Sequence, residues 1–385
     1  MASQCDVAKR AVDGSTSEFL LKDIAIRASK NEYDENHNEE GIINMSTAHN
    51  ESVREIITEK FVIVNGVTSA LSAMAYVLCD HGDTILTPSP MYGAIPRDLV
   101  VQSGVKTYPV YVSSKAEPDG RKPWELNVDL LEAGLENAKQ EGHNVRALLL
   151  VNPINPFGTV YTKQQMLDYL AFCKRHDIHC LIDEIYSASI FEESADSSSV
   201  FTLNSEELPD KEKTHVVWGT AKDFGMPGCP FGACYTWNPR VITGLEKLVD
   251  FYQIPSFVQT AVAKMLEDKE WLRWYLPTHN KMLQESSAIV METLKELGVP
   301  FVRPTAGLFI WADFTNIIGD VNKDTEKQFA LHCLDHGLAI APGSAFVYNE
   351  LGWARLVHAL PRAKLIEAMK RLKEACETFQ TRYTR

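Results

Sequence analysis

The sequence predicts an α/β fold, in which helices cover both faces of a large, mostly parallel β-sheet and a smaller α/β domain follows. Three observations lead to this prediction. Short apolar runs alternate with helical patterns from Phe61 onward, as in βαβ units. The run Ala-Leu-Leu-Leu-Val at 147–151 is apolar throughout, as in a strand buried on both faces. A second alternation of strand and helix patterns begins at about Pro300.

The large sheet is predicted to begin with a strand at 61–64. Thr68 is predicted to cap a helix over 69–79. Further strands are predicted at 83–88, 105–112, 147–151, 179–185 and 216–218, with helices opening at 90–93 and spanning 128–140 and 162–176. Because active sites of such sheets lie beyond the carboxyl ends of the strands, functional residues are expected directly after them.

Three parts of the chain differ in pattern. Residues 1–50 are polar and poorly periodic, and we expect an N-terminal arm that joins the small domain. Residues 51–290 are expected to form the large domain and residues 291–385 the small C-terminal domain. A helix over 269–297 links the two domains, and the small domain is completed by strands at 307–313, 338–341 and 354–360 and a helix at 362–379.

The composition is that of a globular protein, since 45% of the 385 residues are hydrophobic and 23% are charged. The formal net charge is −13 and no basic patch is visible, so a nucleic-acid partner is not expected. The sequence has no apolar run of membrane length and no signal-peptide pattern after Met1, so we expect a cytoplasmic protein without membrane contact. The eight cysteines form no CxxC pair, which favours reduced, buried thiols over a metal centre.

Lys222 follows the apolar strand at 216–218 and precedes the glycine-rich stretch 225–228, so it is predicted to lie on a tight turn at a strand end. A lysine amine in a cleft is partly desolvated, loses its proton more readily and can form a Schiff base. The alternative is a surface lysine after a strand end, which is the commoner case for a single lysine. The surrounding motifs decide between the two interpretations.

Three features upstream of the lysine also lie at strand ends or helix starts. Gly66, Val67 and Thr68 offer backbone N–H groups and a hydroxyl to an anion, although an ordinary capped helix has the same sequence. Tyr92 can stack on a planar ring or pack in a core. Asn155, in an Asn-Pro-Ile-Asn-Pro-Phe-Gly turn, offers an amide donor or only closes the turn.

Three residues further along the chain complete the set. Asp183 ends an apolar strand, where a carboxylate is costly to bury unless it has a partner such as a protonated ring nitrogen, and Tyr186 follows it. Arg355 lies on a strand among apolar neighbours and suits two-point binding of a carboxylate, or a structural ion pair. Each feature alone favours its structural interpretation, whereas their order along the chain favours the functional one.

In this order, the features resemble the fold-type-I, pyridoxal 5'-phosphate (PLP)-dependent class I and II aminotransferases and, more narrowly, the 1-aminocyclopropane-1-carboxylate synthase-like branch. The resemblance rests on Asn-Pro-Ile-Asn-Pro-Phe-Gly at 152–158 and on Lys-Asp-Phe-Gly-Met-Pro-Gly at 222–228, and it extends from Gly41 to the C-terminus. It implies a PLP-dependent transferase fold of type I, PLP as cofactor, an α-amino acid substrate and a homodimer.

The resemblance also implies a role for each candidate residue. Lys222 would bind PLP covalently and then remove the α-proton of the substrate, whose carboxylate Arg355 would bind. Asp183 would keep the pyridine nitrogen protonated, so that the ring acts as an electron sink. Tyr186 and Asn155 would bind the phenolic oxygen of the cofactor, and Tyr92 would stack on its ring. Gly66, Val67 and Thr68 would bind its phosphate.

Three departures from the family pattern bear on these roles. Pro230 stands where the family has an arginine that pairs with the phosphate. A hydrogen bond to a charged group contributes about 1.5–3 kcal/mol, so we expect PLP binding to be roughly ten- to a hundredfold weaker. Gly219 and Ala221 replace small hydroxyl residues before the lysine. His49, where a glutamate is usual, runs almost directly into the Phe61 strand, whereas the family has several dozen more residues there that contribute to the pocket and the dimer contact.

Two hypotheses follow, and the sequence leaves both open. In the first, the protein is a PLP-dependent aminotransferase, or a 1-aminocyclopropane-1-carboxylate synthase-like lyase that eliminates a γ-substituent. In the second, it is a pseudoenzyme that keeps the fold for binding or dimerisation. The departures suit a degenerate enzyme, a truncated splice form or gene model, or altered chemistry. A dinucleotide-binding dehydrogenase is disfavoured because no Gly-x-Gly-x-x-Gly follows the first strand.

Overall fold

The structure, a computed structural model, describes residues 61–383 apart from 119, 193–198 and 204. The predicted arm at 1–50 lies outside the described residues, as does the connection from it to the first strand. The predictions made for that part of the chain, including the departure at His49, therefore remain untested.

The larger of the two sheets in the described residues has seven strands. In chain order they are β1 (Phe61–Val64), β2 (Thr84–Ser89), β3 (Lys106–Tyr111), β4 (Val145–Val151), β5 (His179–Asp183), β6 (Thr214–Gly219) and β7 (Gly232–Thr236). Their order across the sheet is β1-β7-β6-β5-β4-β2-β3. All neighbouring pairs from β6 to β3 are parallel, and β7 alone runs antiparallel to both of its neighbours. This arrangement confirms the predicted, mostly parallel sheet.

The smaller sheet has four antiparallel strands in the order β10-β11-β9-β8. They are β8 (Phe301–Val302), β9 (Phe309–Asp313), β10 (Ala341–Pro342) and β11 (Trp353–Val357). Of the strand predicted at 338–341, only Ala341 lies in a strand, which continues to Pro342.

The α-helices of the described residues alternate with the strands of the large sheet and then surround the small one. They are α1 (Gly66–Leu78), α2 (Ile95–Ser103), α3 (Val128–Gln140), α4 (Lys163–Arg175), α5 (Thr220–Asp223), α6 (Pro239–Glu246), α7 (Ser256–Glu267), α8 (Lys269–Glu296), α9 (Thr315–Ile318), α10 (Lys323–Asp335) and α11 (Arg362–Tyr383). Helix α8 runs through residue 290, where the sequence places a domain boundary, and the boundaries stay a prediction. Within the described ranges, no helix combines the length and apolar composition needed to cross a bilayer.

Two hydrophobic cores lie on opposite faces of the large sheet. Leu148 and Leu150 of β4 belong to one core, and Leu149 belongs to the other, together with residues of α1. The uninterrupted apolar run of β4 follows from this double burial, since neither face of the strand meets water. A third core joins the small sheet to the second half of α8 and to α11.

Helix α1 begins at Gly66 rather than at residue 69. Gly66 has a φ of +82°, a conformation that a glycine adopts without steric cost, so the chain turns into the helix directly after β1. Thr68, the predicted cap, is therefore already helical, and its hydroxyl donates a hydrogen bond to Asp98 over 3.2 Å. The prediction that Thr68 caps this helix is wrong.

Candidate active site

Lys222 is the third residue of α5, a single helical turn that follows β6 directly, rather than part of the irregular turn predicted. Its side chain is exposed to solvent, yet enough protein surrounds it for desolvation to lower the pKa of its amine. The positive charge of Arg355 lowers that pKa further, whereas the carboxylate of Asp183 opposes both effects. The amine therefore loses its proton more easily than that of an ordinary surface lysine, as a nucleophile or proton acceptor requires.

Asp183 is the last residue of β5 and is almost fully buried. Burial raises the pKa of its carboxyl to about 7, and the backbone N–H of Ile185, which donates a hydrogen bond of 3.0 Å, acts in the opposite direction. The neighbouring carboxyls of Glu184 and Asp223 raise the pKa, and the amine of Lys222 lowers it. A carboxyl in this position is stabilised in its ionised form by a cation that donates a hydrogen bond to it.

Arg355 lies on β11, yet its guanidinium reaches the large sheet. Its Nη1 donates a hydrogen bond of 3.1 Å to the Oδ1 atom of Asn155, in the loop after β4. The guanidinium carbon also lies 5.2 Å from the ring centroid of Phe309 and 4.8 Å from that of Phe346. The Nε atom is buried without a hydrogen-bond partner, so one donor of this side chain remains available to a carboxylate.

The predicted tyrosines lie close to the same group of charges. Tyr186 is buried, and burial raises the pKa of its phenol while Arg355 acts in the opposite direction. Tyr92 is 44% exposed, and its phenol is near enough to Arg355 and Tyr186 to affect the pKa of both. The structure thus brings Lys222, Asp183 and these three side chains close enough together to influence one another's charge.

The Asn-Pro turn also joins the two sheets. Asn152 accepts a hydrogen bond from Tyr161 N through its side chain and donates one from its backbone to Asp183, which holds the turn at the ends of β4 and β5. Gly158 has a φ of +69°, and a Cβ atom at this position would lie 2.8 Å from the carbonyl oxygens of Ala306 and Phe309. The turn therefore needs glycine here to pack against the small sheet.

The predicted phosphate site lies at the start of α1. The first N–H groups of a helix have no partner within the helix, and Gly66, Val67 and Thr68 are the first residues of α1. Pro230 packs against this point, since a Cβ atom placed on Gly66 would lie 3.4 Å from the Cβ of Pro230. The position that carries an arginine in the resembled family thus contributes no charge and no hydrogen-bond donor here.

The segment just before Lys222 is likewise short of side-chain donors. Gly219 precedes α5, and no side chain caps that helix. Thr220 follows, with its hydroxyl oxygen buried and without a hydrogen-bond partner. The Thr220 hydroxyl is thus a side-chain donor, just before Lys222, that remains free to bind a phosphate.

Several contributors were not among the predicted site residues, although the resemblance implies that the segment 306–309, with Phe309, closes over the substrate. Asp223 is fully buried, and Phe309 and Phe346 flank the guanidinium of Arg355. Asp98 binds the hydroxyl of Thr68 at the predicted phosphate site. Asp223 had a signal in the sequence, because it directly follows the lysine in the recognised motif, whereas the other three come from distant segments.

Comparison with known proteins identifies the class. Residues 28–372 match the family described as aminotransferase class I and II, and the chain belongs to that family. The match confirms the predicted family and fold type. An aromatic aminotransferase from Pyrococcus horikoshii has a similar structure, with a TM-score of 0.70 and 25% sequence identity over 83% of this chain and 79% of that chain.

Within the family, the chain is similar to the 1-aminocyclopropane-1-carboxylate synthase-like branch. It is 38% identical to 1-aminocyclopropane-1-carboxylate synthase-like protein 1 of Bos taurus, over 83% of this chain and 63% of the relative. It is 36% identical to a human protein named probable inactive 1-aminocyclopropane-1-carboxylate synthase-like protein 2, over 84% of this chain and 56% of the relative. The chain thus spans less than two thirds of the length of either relative.

Family membership confirms PLP as the cofactor that the sequence predicts. The described residues fit its reactive end, because Asp183 suits a cationic ring nitrogen and the amine of Lys222 suits its aldehyde. The buried hydroxyl of Thr220 and the N–H groups at the start of α1 fit an anion. The phosphate end therefore retains neutral donors and lacks the charge that an arginine at position 230 would supply.

Proposed function

We propose that this protein is a PLP-dependent enzyme that acts on an α-amino acid, as an aminotransferase or as a 1-aminocyclopropane-1-carboxylate synthase-like lyase. The observation that carries the proposal is that a lysine with a lowered pKa, a buried carboxyl and an arginine with an unused donor lie close enough together to affect one another's charge. Perturbed ionisable groups cluster in this way at functional sites. Membership of the aminotransferase family supports the same reaction class.

Each residue then has a defined task. PLP supplies an electron sink for the negative charge that forms at the substrate α-carbon. Asp183 would stabilise the protonated ring nitrogen, and Tyr186 with Asn155 would bind the phenolic oxygen. Arg355 would bind and orient the substrate carboxylate. The amine of Lys222 would accept the α-proton and later return it. Tyr92 would stack on the ring, and the start of α1 would bind the phosphate.

The second candidate is a pseudoenzyme that binds PLP weakly or not at all. Pro230 at the start of α1 favours this candidate, since it removes a charged donor from the phosphate site. Similarity to a relative named probable inactive points in the same direction. Retention of the whole set around Lys222 favours the catalytic candidate.

We also propose a cytoplasmic homodimer. Three large apolar side chains near α7 and α8 are strongly exposed in the single chain: Phe251 by 82%, Phe257 by 78% and Trp274 by 62%. Exposed apolar groups of this size suit a subunit contact. The seven cysteines in the described residues are all free thiols, which suits a reducing compartment. Light scattering at micromolar concentration measures the subunit number, and a monomer would contradict the dimer.

The experiment that tests the function is a visible absorption titration with PLP, followed by borohydride reduction and peptide mapping. A saturable band together with a label on Lys222 is expected. A separate sample, not treated with borohydride and supplied with excess PLP, is then screened for activity. Transamination and elimination are measured with each amino acid and with S-adenosylmethionine. Turnover that is lost in Lys222→Ala supports the enzyme. A stable, folded protein without label or turnover would establish the second candidate instead.

A further inference from the structure

A stack of four aromatic rings connects α8 to the segment that carries Lys222. Phe224, two residues after the lysine, stacks on Tyr275 with ring centroids 5.4 Å apart and an interplanar angle of 14°. Trp271 and Tyr275 stack at 4.6 Å and 19°, and Tyr275 and His279 at 5.5 Å and 11°. The three residues on α8 are four positions apart, so one face of the helix presents the whole stack.

Polar contacts from the same helix face reach the residue next to Lys222. The hydroxyl of Tyr275 donates a hydrogen bond of 2.9 Å to the carbonyl oxygen of Asp223. The carboxylate of Asp223 accepts hydrogen bonds from the hydroxyl of Ser189, at 2.6 Å, and from the backbone N–H of Ala188, at 3.0 Å. The peptide bond between Asp223 and Phe224 and the side chain of Asp223 are thus both fixed from outside α5.

His279 extends this network by one contact. Its Nε2 atom lies 3.4 Å from the Ser189 hydroxyl oxygen. Because the proton of that hydroxyl is donated to Asp223, the imidazole is the donor in this contact and carries its proton on Nε2. Desolvation lowers the pKa of His279, which favours this neutral form. Asp223 is therefore linked to α8 twice, through its carbonyl by Tyr275 and through the Ser189 hydroxyl by His279.

The second half of α8 belongs to the small sheet. Val290 and Leu294 are fully buried in the core that contains Ile310 of β9 and Leu356 of β11, the strand that carries Arg355. Pro277 lies between the two halves and removes one backbone hydrogen bond of the helix, next to Tyr275 and His279. A single helix thus joins the predicted substrate-binding strand to the Lys222 segment. The backbone hydrogen bond missing at Pro277 lies between two rings of the stack.

We propose that Tyr275 and His279 are positioning residues for Lys222. They hold α5 in a fixed position relative to α8 and therefore relative to the small sheet. Neither side chain is placed against substrate or cofactor, and both act through Asp223. This proposal rests on the proposed function in one respect, namely that Lys222 is the catalytic lysine. Movement of the small sheet relative to the large one would be transmitted along α8 to the lysine amine.

The test measures the reactivity of Lys222 in the protein without PLP. Trinitrobenzenesulfonate modifies deprotonated amines, and peptide mapping gives the rate at Lys222 and, as internal references, at Lys213 and Lys264. Tyr275→Phe keeps the ring stack and removes the hydroxyl, and His279→Phe keeps the ring and removes the Nε2 donor. Thr278→Ala is the matched control, because its hydroxyl bonds only to the carbonyl of Trp274 on the same helix.

Loss of a hydrogen bond of this kind is expected to change the rate at Lys222 by about threefold or more in Tyr275→Phe and His279→Phe, or to shift the pH midpoint of its modification by about half a unit or more. The reference lysines and the Thr278→Ala protein are expected to stay at the wild-type rate. Wild-type reactivity of Lys222 in both aromatic variants would overturn the proposal, as would an equal change in the control. Because the measurement is made without PLP, it gives the same result for a protein that never binds PLP. Failure of the proposed function can therefore be told apart from failure of this proposal.

Discussion

Arg355 Nη1 donates a hydrogen bond of 3.1 Å to Asn155 Oδ1, and this contact joins the small sheet to the loop that follows β4 of the large sheet. The two residues are 200 positions apart in sequence. Phe309 and Phe346 flank the guanidinium, so its orientation is fixed by packing as well as by the hydrogen bond. The unpartnered Nε atom then remains available to a substrate carboxylate.

Replacing Arg355 by lysine is expected to weaken amino acid binding although it keeps the positive charge. A lysine ammonium lacks the planar donor pair that matches a carboxylate, and it does not reproduce the contact with Asn155. Loss of a charge-assisted hydrogen bond of about 1.5–3 kcal/mol corresponds to a roughly ten- to hundredfold rise in the dissociation constant. The spectral change of the PLP-bound protein on titration with an amino acid gives this constant.

Arg303→Lys serves as the matched control, because Arg303 pairs with Glu192 at the surface. Its dissociation constant is expected to equal that of the wild type. An Arg355→Lys protein that binds amino acids as the wild type does would show that the carboxylate is bound elsewhere.

Asp183→Asn is expected to change how stability depends on pH. The pKa of this carboxyl is about 7 in the folded protein, against an ordinary value of 3.8, so the folded state binds the proton more tightly. Between about pH 4 and pH 7 the unfolded state has already released this proton, and wild-type stability falls as pH rises through that window. An asparagine does not titrate, so the melting temperature of the variant minus that of the wild type should increase from pH 5 to pH 8.

Differential scanning calorimetry of the protein without PLP measures this difference. Asp129→Asn, which removes a carboxyl from an exposed site in the first turn of α3, is the control for the change of charge. A constant difference for Asp183→Asn across the same range would show that the carboxyl is already ionised in the folded protein at pH 5.

The sequence was sufficient to predict the strands and helices that carry the site, because their signals are local. The five-residue apolar run in β4 requires burial on both faces, and residues after such strands meet at one edge of a parallel sheet. Asp183, Asn155 and Lys222 follow from that rule. Arg355 was identified by its apolar neighbours, and the resemblance connected it to the same site although its strand belongs to the other sheet.

The remaining contributors depend on contacts between distant segments, which single-sequence patterns do not report. Thr68 was predicted to cap its own helix, but its hydroxyl binds Asp98, 30 residues later. Tyr275 reaches the carbonyl of Asp223 across 52 residues. Only the packing of α8 and α2 against the site brings these groups together, so the chain offers no local signal for them.

Gly219→Ser is expected to destabilise the protein, although the resembled family has a small hydroxyl residue here. A Cβ atom on Gly219 would lie 2.5 Å from the carbonyl oxygen of Phe231 and 2.8 Å from a methyl carbon of Val67. Such overpacking costs about 1–3 kcal/mol, since backbone has to move to relieve it. Thermal unfolding should show a lower melting temperature than in Gly228→Ser, where a Cβ atom meets nothing within 4 Å. Equal melting temperatures would mean that β7 shifts without cost.

Pro230→Arg is expected to strengthen PLP binding without any change at Gly219. Pro230 packs against Gly66, so a guanidinium at this position has access to the N-terminal end of α1, where the N–H groups already favour an anion. One charge-assisted hydrogen bond to a phosphate should lower the dissociation constant roughly ten- to a hundredfold. The absorption titration with PLP measures the constant, and pyridoxal, which lacks the phosphate, is titrated in parallel.

The gain in Pro230→Arg should appear for PLP and be absent for pyridoxal, because the new donor acts on the phosphate alone. Pro227→Arg adds the same charge at an exposed position of the same loop and should leave both constants near the wild-type values. An equal gain for the two ligands would assign the effect to the altered backbone of the loop. No gain for either would place the phosphate away from the start of α1, and the roles proposed for Gly66, Val67 and Thr68 would then be wrong.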